Sequence, residues 1–181
     1  MFLSLIDYNF PVWEISDWEL PDIDLTGLKT ETYDQSSKHY KSSDLRQHLN
    51  IELDMLTQGK HIQKMLNKNN TEVIDQMWKG HLERLQWPKG STVIILDKPG
   101  FNMGVHEDNR YVLGVLIINL QDNPIGSGTY FPELNYSGPT KKGTGLFFLN
   151  HNNTPHKIHQ PGPEDRLIAY QTLTLDDLRY D

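Results

Sequence analysis

His106 and Asp108 stand two residues apart, His156 follows forty-eight residues after the Asp, and Arg166 comes ten residues later. In a β-strand successive side chains alternate faces, so His106 and Asp108 would share one side while Glu107 points to the other. Two metal ligands would then come from one strand, and His156 can arrive from a strand distant in sequence but adjacent in space. Two imidazoles and one carboxylate on one face of an ion, with positions open opposite, suit non-haem Fe(II) that must also bind a co-substrate and O₂.

With eight His and twenty-four acidic residues in 181, a His-x-Asp/Glu match arises roughly once by composition, so context has to separate signal from chance. A second match, His81-Leu82-Glu83, lies in the pattern Val73, Ile74, Met77, Trp78, Leu82, Leu85. That spacing reads as a helix, where residues two apart do not share a face, and His81 reads as solvated helix surface. His106 differs because its surroundings read as strand.

Those surroundings run from about residue 91 to 175. Thr92 to Leu96 is a short β-branched run ending at the Pro99-Gly100 turn, and Tyr111 to Leu120 is almost continuously apolar; both read as buried strands. Thr144 to Leu149 and Arg166 to Leu173 read as two more. The segment Gln160 to Asp165 reads as a turn that would lay the strands of His156 and Arg166 side by side. Many short strands divided by Gly, Pro and Asn turns point to a sandwich or jelly roll. Upstream, Leu45, Leu49, Leu53 and Leu56 read as an amphipathic helix, with Asp44 as N-cap and Gln47 in the capping-box position. Residues 71–85 read as a second helix, and residues 1–40 as an edge strand plus a loop. The expectation is one domain over 1–181, with 1–90 as N-terminal support and 91–175 as the catalytic core.

Five blocks carry a family resemblance: Asp97-Lys98-Pro99-Gly100 through His106 and Asp108; Gly126-Ser127-Gly128-Thr129-Tyr130-Phe131-Pro132; Lys142-Gly143-Thr144-Gly145-Leu146-Phe147-Phe148; Pro155-His156; and Arg166. In order and spacing they resemble the 2-oxoglutarate- and Fe(II)-dependent oxygenases, in their prolyl-4-hydroxylase-like branch, and the chain is similar in size to stand-alone phage and bacterial members. The resemblance implies a mainly β fold, a double-stranded β-helix (jelly-roll, cupin-like) core preceded by helices. It makes His106, Asp108 and His156 the iron ligands, Arg166 the anchor for the remote carboxylate of 2-oxoglutarate, and Thr129 a hydroxyl near the same co-substrate. A planar guanidinium that stays charged at any working pH suits that carboxylate. The cofactors implied are Fe(II), 2-oxoglutarate and O₂. The reaction implied is hydroxylation of a C–H bond with release of succinate and CO₂. Metal and co-substrate supply the chemistry, so no protein base or nucleophile is named.

Two positions depart from the family pattern. Asp97 stands where a Tyr often meets the co-substrate carboxylate, and an ionised Asp would repel it; Asp97 would have to face away, pair with Lys98 or Arg110, or belong to a rearranged pocket. Thr172 stands near a common aromatic position. His151 and His159 compete with His156 as distal ligand. The family interval to Arg166 favours His156, His151 sits in an Asn-rich loop reading, and His159, three residues on, alternates to the other face of a regular strand.

Composition bounds the partners. The absence of cysteine removes disulfides and thiolate metal sites. No apolar run reaches membrane-spanning length, and the first residues lack a signal-peptide pattern, so a cytoplasmic protein is expected, in a host cytoplasm if phage-encoded. A net charge of −7 and a pI near 5.6 argue against a broad nucleic-acid surface. The branch resemblance implies a prolyl or similar residue of a peptide or protein as substrate. The alternatives are a nucleobase or free small molecule, or a non-catalytic jelly-roll binding module. A nucleic-acid repair enzyme would carry a further Arg where Thr172 stands, and a binding module needs none of the four site residues.

Overall fold

The β-branched and aromatic runs of the C-terminal half form strands, as their composition dictates. In the computed structural model, which describes residues 1–7, 9–19, 23, 25–26, 45–51, 92–108, 112–150, 154–159 and 162–174, the strands are β1 (Phe2–Asp7), β2 (Phe10–Ser16), β3 (Arg46–Ile51), β4 (Thr92–Asp97), β5 (Asn102–His106), β6 (Val112–Asn119), β7 (Gly128–Phe131), β8 (Tyr136–Ser137), β9 (Gly145–Leu149), β10 (His156–His159) and β11 (Arg166–Thr174). They make a seven-stranded sheet in the order β1-β2-β9-β6-β11-β4-β3 and a four-stranded sheet in the order β5-β10-β7-β8. All pairings are antiparallel.

From β4 onward the chain passes back and forth between the sheets. Alternation then divides the large sheet's side chains into two apolar layers. One layer, with Val12, Ile95, Val115, Ile117, Leu146, Phe148 and Ile168, meets Phe131 of the small sheet. The other, on the opposite face, holds Trp13, Ile94, Leu116, Ile118, Phe147, Leu149, Leu167, Ala169 and Leu173. Tyr136 of β8 reaches across the sandwich to donate a 2.6 Å hydrogen bond to the Glu14 carboxylate of β2, and burial with that negative neighbour raises the phenol's pKa.

Gly145 is required by this packing. A Cβ there would lie 2.0 Å from the Ile117 carbonyl oxygen and 2.8 Å from Ile118 Cδ1, and the adjoining backbone cannot retreat without opening the β6–β9 ladder. Gly145→Ala should cost about 3 kcal/mol of stability, at the upper end of overpacking effects. Urea denaturation measures it, and a change below about 0.5 kcal/mol, the size of an ordinary surface substitution, would contradict the packing.

Three expectations change. The segment read as the start of a helix from Leu45 is strand β3 through Ile51, because pairing with β4 from Arg46↔Asp97 to Ile51↔Thr92 satisfies its backbone and tertiary pairing overrides a four-residue Leu spacing. Leu53, Leu56 and the second helix at 71–85 lie outside the described residues. Residues 1–16 hold two strands, of which β1 is the sheet edge. The strands of His156 and Arg166 do not lie side by side: β10 is flanked by β5 and β7, and β11 by β6 and β4, so their connection changes sheets. Among the described residues, no helix is long and apolar enough to cross a membrane.

Candidate metal centre and its cavity

His106 is the last residue of β5, and β5 pairs with β10 so that His106 stands directly opposite His156. The two imidazole centroids are 4.4 Å apart. Asp108 lies two residues past the end of β5 rather than within it, and its Oδ2 comes to 3.9 Å from His156 Nε2. One ligand atom from each of the three side chains falls within 4.8 Å of the others, a grouping that can hold a single metal ion.

Each ligand is held by a neighbour. His106 Nδ1 contacts the Gly104 carbonyl at 2.8 Å and His156 Nδ1 the Thr154 carbonyl at 3.1 Å. A carbonyl only accepts, so both Nδ1 atoms carry the proton and both Nε2 lone pairs remain for a metal. Phe148 and Phe131 pack on the His156 ring at 4.9 and 5.8 Å. Thr154 is itself fixed by its hydroxyl on the Leu149 carbonyl. Asn150 donates to the Asp108 and Val112 carbonyls at 3.1 and 2.9 Å, tying the loop after β5 to the start of β6.

The electrostatics fit a metal. Burial, with the nearby His106, lowers the His156 pKa to about 4 against the weaker pull of the Thr154 contact, so the ring is neutral at working pH. Burial raises the Asp108 carboxyl to about 6, and its Oδ2 is a buried oxygen with no hydrogen-bond partner. A buried acceptor without a donor is costly, and a cation is the partner this oxygen lacks. Ligation requires the carboxylate, so protons compete for Asp108. Metal affinity should therefore fall about tenfold per pH unit below about pH 6 and level off above it; titrating metal between pH 5 and 8 tests this, and a flat profile would contradict it.

The triad lines one part of a cavity of about 210 Å³ whose wall also includes Arg46, His48, Met103, Ile117, Ile158, Ile168 and Tyr170. Arg166 and Thr129 are not on that wall. Thr129 lies in β7 opposite Ile158 of β10, buried, with an unpartnered hydroxyl. Arg166 is buried at the start of β11, where its Nη1 donates to Asp97 Oδ2 at 2.8 Å and its Nε has no partner. Burial lowers its pKa from the ordinary value, Asp97 opposes this and Arg46 adds to it.

Asp97 does not pair with Lys98, which instead meets Asp165 at 2.6 Å; Arg110 is outside the described residues. Its partners are Arg166 and Arg46, whose Nε and Nη2 grip both carboxylate oxygens. Arg46 is a residue the linear reading missed, as are His48, Asn150 and Thr154. The signal for Arg46 was its alternation with His48 ahead of Leu49, a strand pattern hidden by the Leu spacing. His151 lies outside the described residues, and β10 pairs His159 with Asn102 and Gly128 at its far end.

No protein family matches the chain as a sequence profile, and no curated protein matches it. Among solved structures, a Pseudomonas putida prolyl-4-hydroxylase aligns over 92% of this chain and 93% of its own, at 14% identity and a TM-score of 0.59. A Trichoplax adhaerens prolyl hydroxylase, solved with a hypoxia inducible factor oxygen degradation domain peptide fragment, aligns over 72% of this chain and 63% of its own, at 14% identity and a TM-score of 0.52. This chain has the fold of those two prolyl hydroxylases, and at such identity the likeness is one of fold.

Proposed function

We propose that the protein is an Fe(II)- and 2-oxoglutarate-dependent oxygenase that hydroxylates a C–H bond, of a prolyl or similar residue in a peptide or protein. The observation that carries the reading is the triad: two imidazoles with Nδ1 turned to backbone carbonyls, leaving both Nε2 atoms for a metal, and one buried, unpartnered carboxylate oxygen, on the wall of one cavity. That donor set, with positions open on one side, suits non-haem iron more than a closed structural site. The back-and-forth passage of β4–β11 supports reading the core as a double-stranded β-helix.

His106, Asp108 and His156 would hold the iron; Arg166 and Thr129, which the family resemblance assigns to the co-substrate, lie off the wall of this cavity. Bound there, iron with 2-oxoglutarate supplies the activation of O₂ that C–H hydroxylation needs, with succinate and CO₂ as co-products. The chain's own part is narrower. The Gly104 and Thr154 carbonyls fix both imidazole tautomers, Asn150 fixes the loop bearing Asp108, and Val93, Ile95, Met103, Ile117, Ile158 and Ile168 make most of the cavity wall apolar, which limits water around the reacting groups. A peptide substrate draws support from the fold shared with a hydroxylase solved with a peptide fragment. The test is conversion of 2-oxoglutarate to succinate by the Fe(II)-loaded protein in air, followed by mass analysis of prolyl peptides for one added oxygen atom. Succinate without peptide oxidation would retain the oxygenase and move the substrate to another class; no succinate with any substrate would sink the reading.

A further inference from the structure

β9 runs between β2 and β6 and is buried along its whole length. Three consecutive residues at its end reach the metal triad by three different routes. Phe148 packs its ring on His156, with centroids 4.9 Å apart. The Leu149 carbonyl accepts the Thr154 hydroxyl at 2.8 Å, and the Thr154 carbonyl in turn accepts from His156 Nδ1 at 3.1 Å. Asn150, the next residue, donates from its side-chain amide to the Asp108 carbonyl at 3.1 Å and to the Val112 carbonyl at 2.9 Å. Its backbone N–H donates to the Leu113 carbonyl at 2.9 Å, which continues the β9 ladder onto β6.

His156 and Asp108 are forty-eight residues apart in sequence, yet both are tied to this one strand end. They depend on it differently. His156 is also held by the pairing of β10 with β5 and β7. Asp108 lies past the last pairing of β5, and its Oδ2 is buried without a donor. A carboxylate oxygen in that state gains free energy by turning to water, so without a metal the chain itself has to oppose the turn. The Asn150 amide opposes it by bridging the Asp108 carbonyl to the carbonyl that opens β6. We infer that Asn150 is a positioning residue for the metal: it holds the Asp108 backbone in the ligating position before the ion arrives, and so sets metal affinity through Asp108, whereas Thr154 sets it through His156. A group that orients a metal ligand in this way commonly accounts for ten- to about a hundredfold in affinity. This rests on the triad as a metal centre, and not on the reaction or substrate proposed for it.

The experiment is calorimetric titration of Ni(II), which suits imidazole ligands and binds such donor sets more tightly than Fe(II), into the metal-free full chain. Asn150→Ala should weaken Ni(II) roughly tenfold or more. Asn150→Leu, close to Asn in shape but without a donor and without room for a water in place of the amide, should weaken it at least as much. In an Asp108→Ala background, where the two imidazoles hold Ni(II), Asn150→Ala should change the affinity by less than about threefold, because the ligand it positions is gone. Thr154→Val removes the contact with Leu149 and should weaken Ni(II) by the same factor in both backgrounds, and Thr154→Ser, which keeps the hydroxyl, should restore it. A loss from Asn150→Ala as large without Asp108 as with it would make Asn150 a general support of the fold. Losses below about threefold from both Asn150 variants in the otherwise unmodified protein would remove it from the site. Either result overturns the inference and leaves the metal centre in place, whereas an unmodified protein that binds no Ni(II) would overturn the metal centre and the inference together.

Discussion

Replacing Asp108 with Ala should reduce 2-oxoglutarate turnover to below about a thousandth of the unmodified rate, more than about 4 kcal/mol of transition-state stabilisation, and should yield a metal-free protein that is more stable than the unmodified one at pH 7. Both effects come from one oxygen atom. Asp108 Oδ2 is buried without a donor and burial raises the carboxyl to about 6 from 3.8. The sign follows from linkage. An acid whose folded pKa lies above its unfolded value costs nothing below the unfolded pKa; its penalty grows between the unfolded and the folded pKa and is constant above the folded one. Above about pH 6 the metal-free fold therefore carries a penalty of about 3 kcal/mol from this carboxylate, which Asp108→Ala removes. Melting of metal-free proteins at pH 4 and pH 7, beside succinate assays, separates a ligand from a structural residue. A variant that loses activity and melts lower at pH 7 would make Asp108 a structural residue; one that keeps turnover would remove it from the site.

Asp97→Ala should be the most damaging single substitution to the fold, by about 3–5 kcal/mol, because it leaves the Arg46 and Arg166 guanidiniums buried side by side with no carboxylate between them. Against a total stability of roughly 5–15 kcal/mol that is a melting temperature lowered by about 10 °C or more. Asp97→Asn, which can still accept from one arginine, should fall between. A melting temperature within about 2 °C of the unmodified protein would mean that the arginines find other partners. Asp97→Tyr should likewise cost stability, because a bulky phenol would enter a fully buried position and the carboxylate that Arg46 and Arg166 share would be lost.

The site was legible where chemistry is carried by residue type and spacing. The His106-x-Asp108 pair and His156 come together, and the runs at Thr92–Asp97, Val112–Asn119, Gly145–Leu149 and Arg166–Thr174 form strands because β-branched and aromatic residues suit a buried sheet. What stayed hidden is non-local. Asp97 meets Arg46, fifty-one residues upstream, and neither its adjacent Lys98 nor a local pattern announces that partner. Leu45, just before β3, and Leu49 within it mimic a helical repeat, and only pairing with β4 shows that Arg46 and His48 turn inward. Asn150, in a run of Asn and His that reads as solvated loop, works through its amide on two carbonyls, a contact made by loop closure rather than by composition. The sheet change between His156 and Arg166 was equally invisible, since a Pro-Gly turn fixes a reversal but not which sheet receives the next strand.

The most direct test of the central claim is anaerobic addition of Fe(II) and then 2-oxoglutarate to metal-free protein, followed by visible absorption. The account predicts a weak charge-transfer band with the unmodified protein that requires both additions and is missing from His156→Ala; no band with the unmodified protein, or one that persists in His156→Ala, would contradict it.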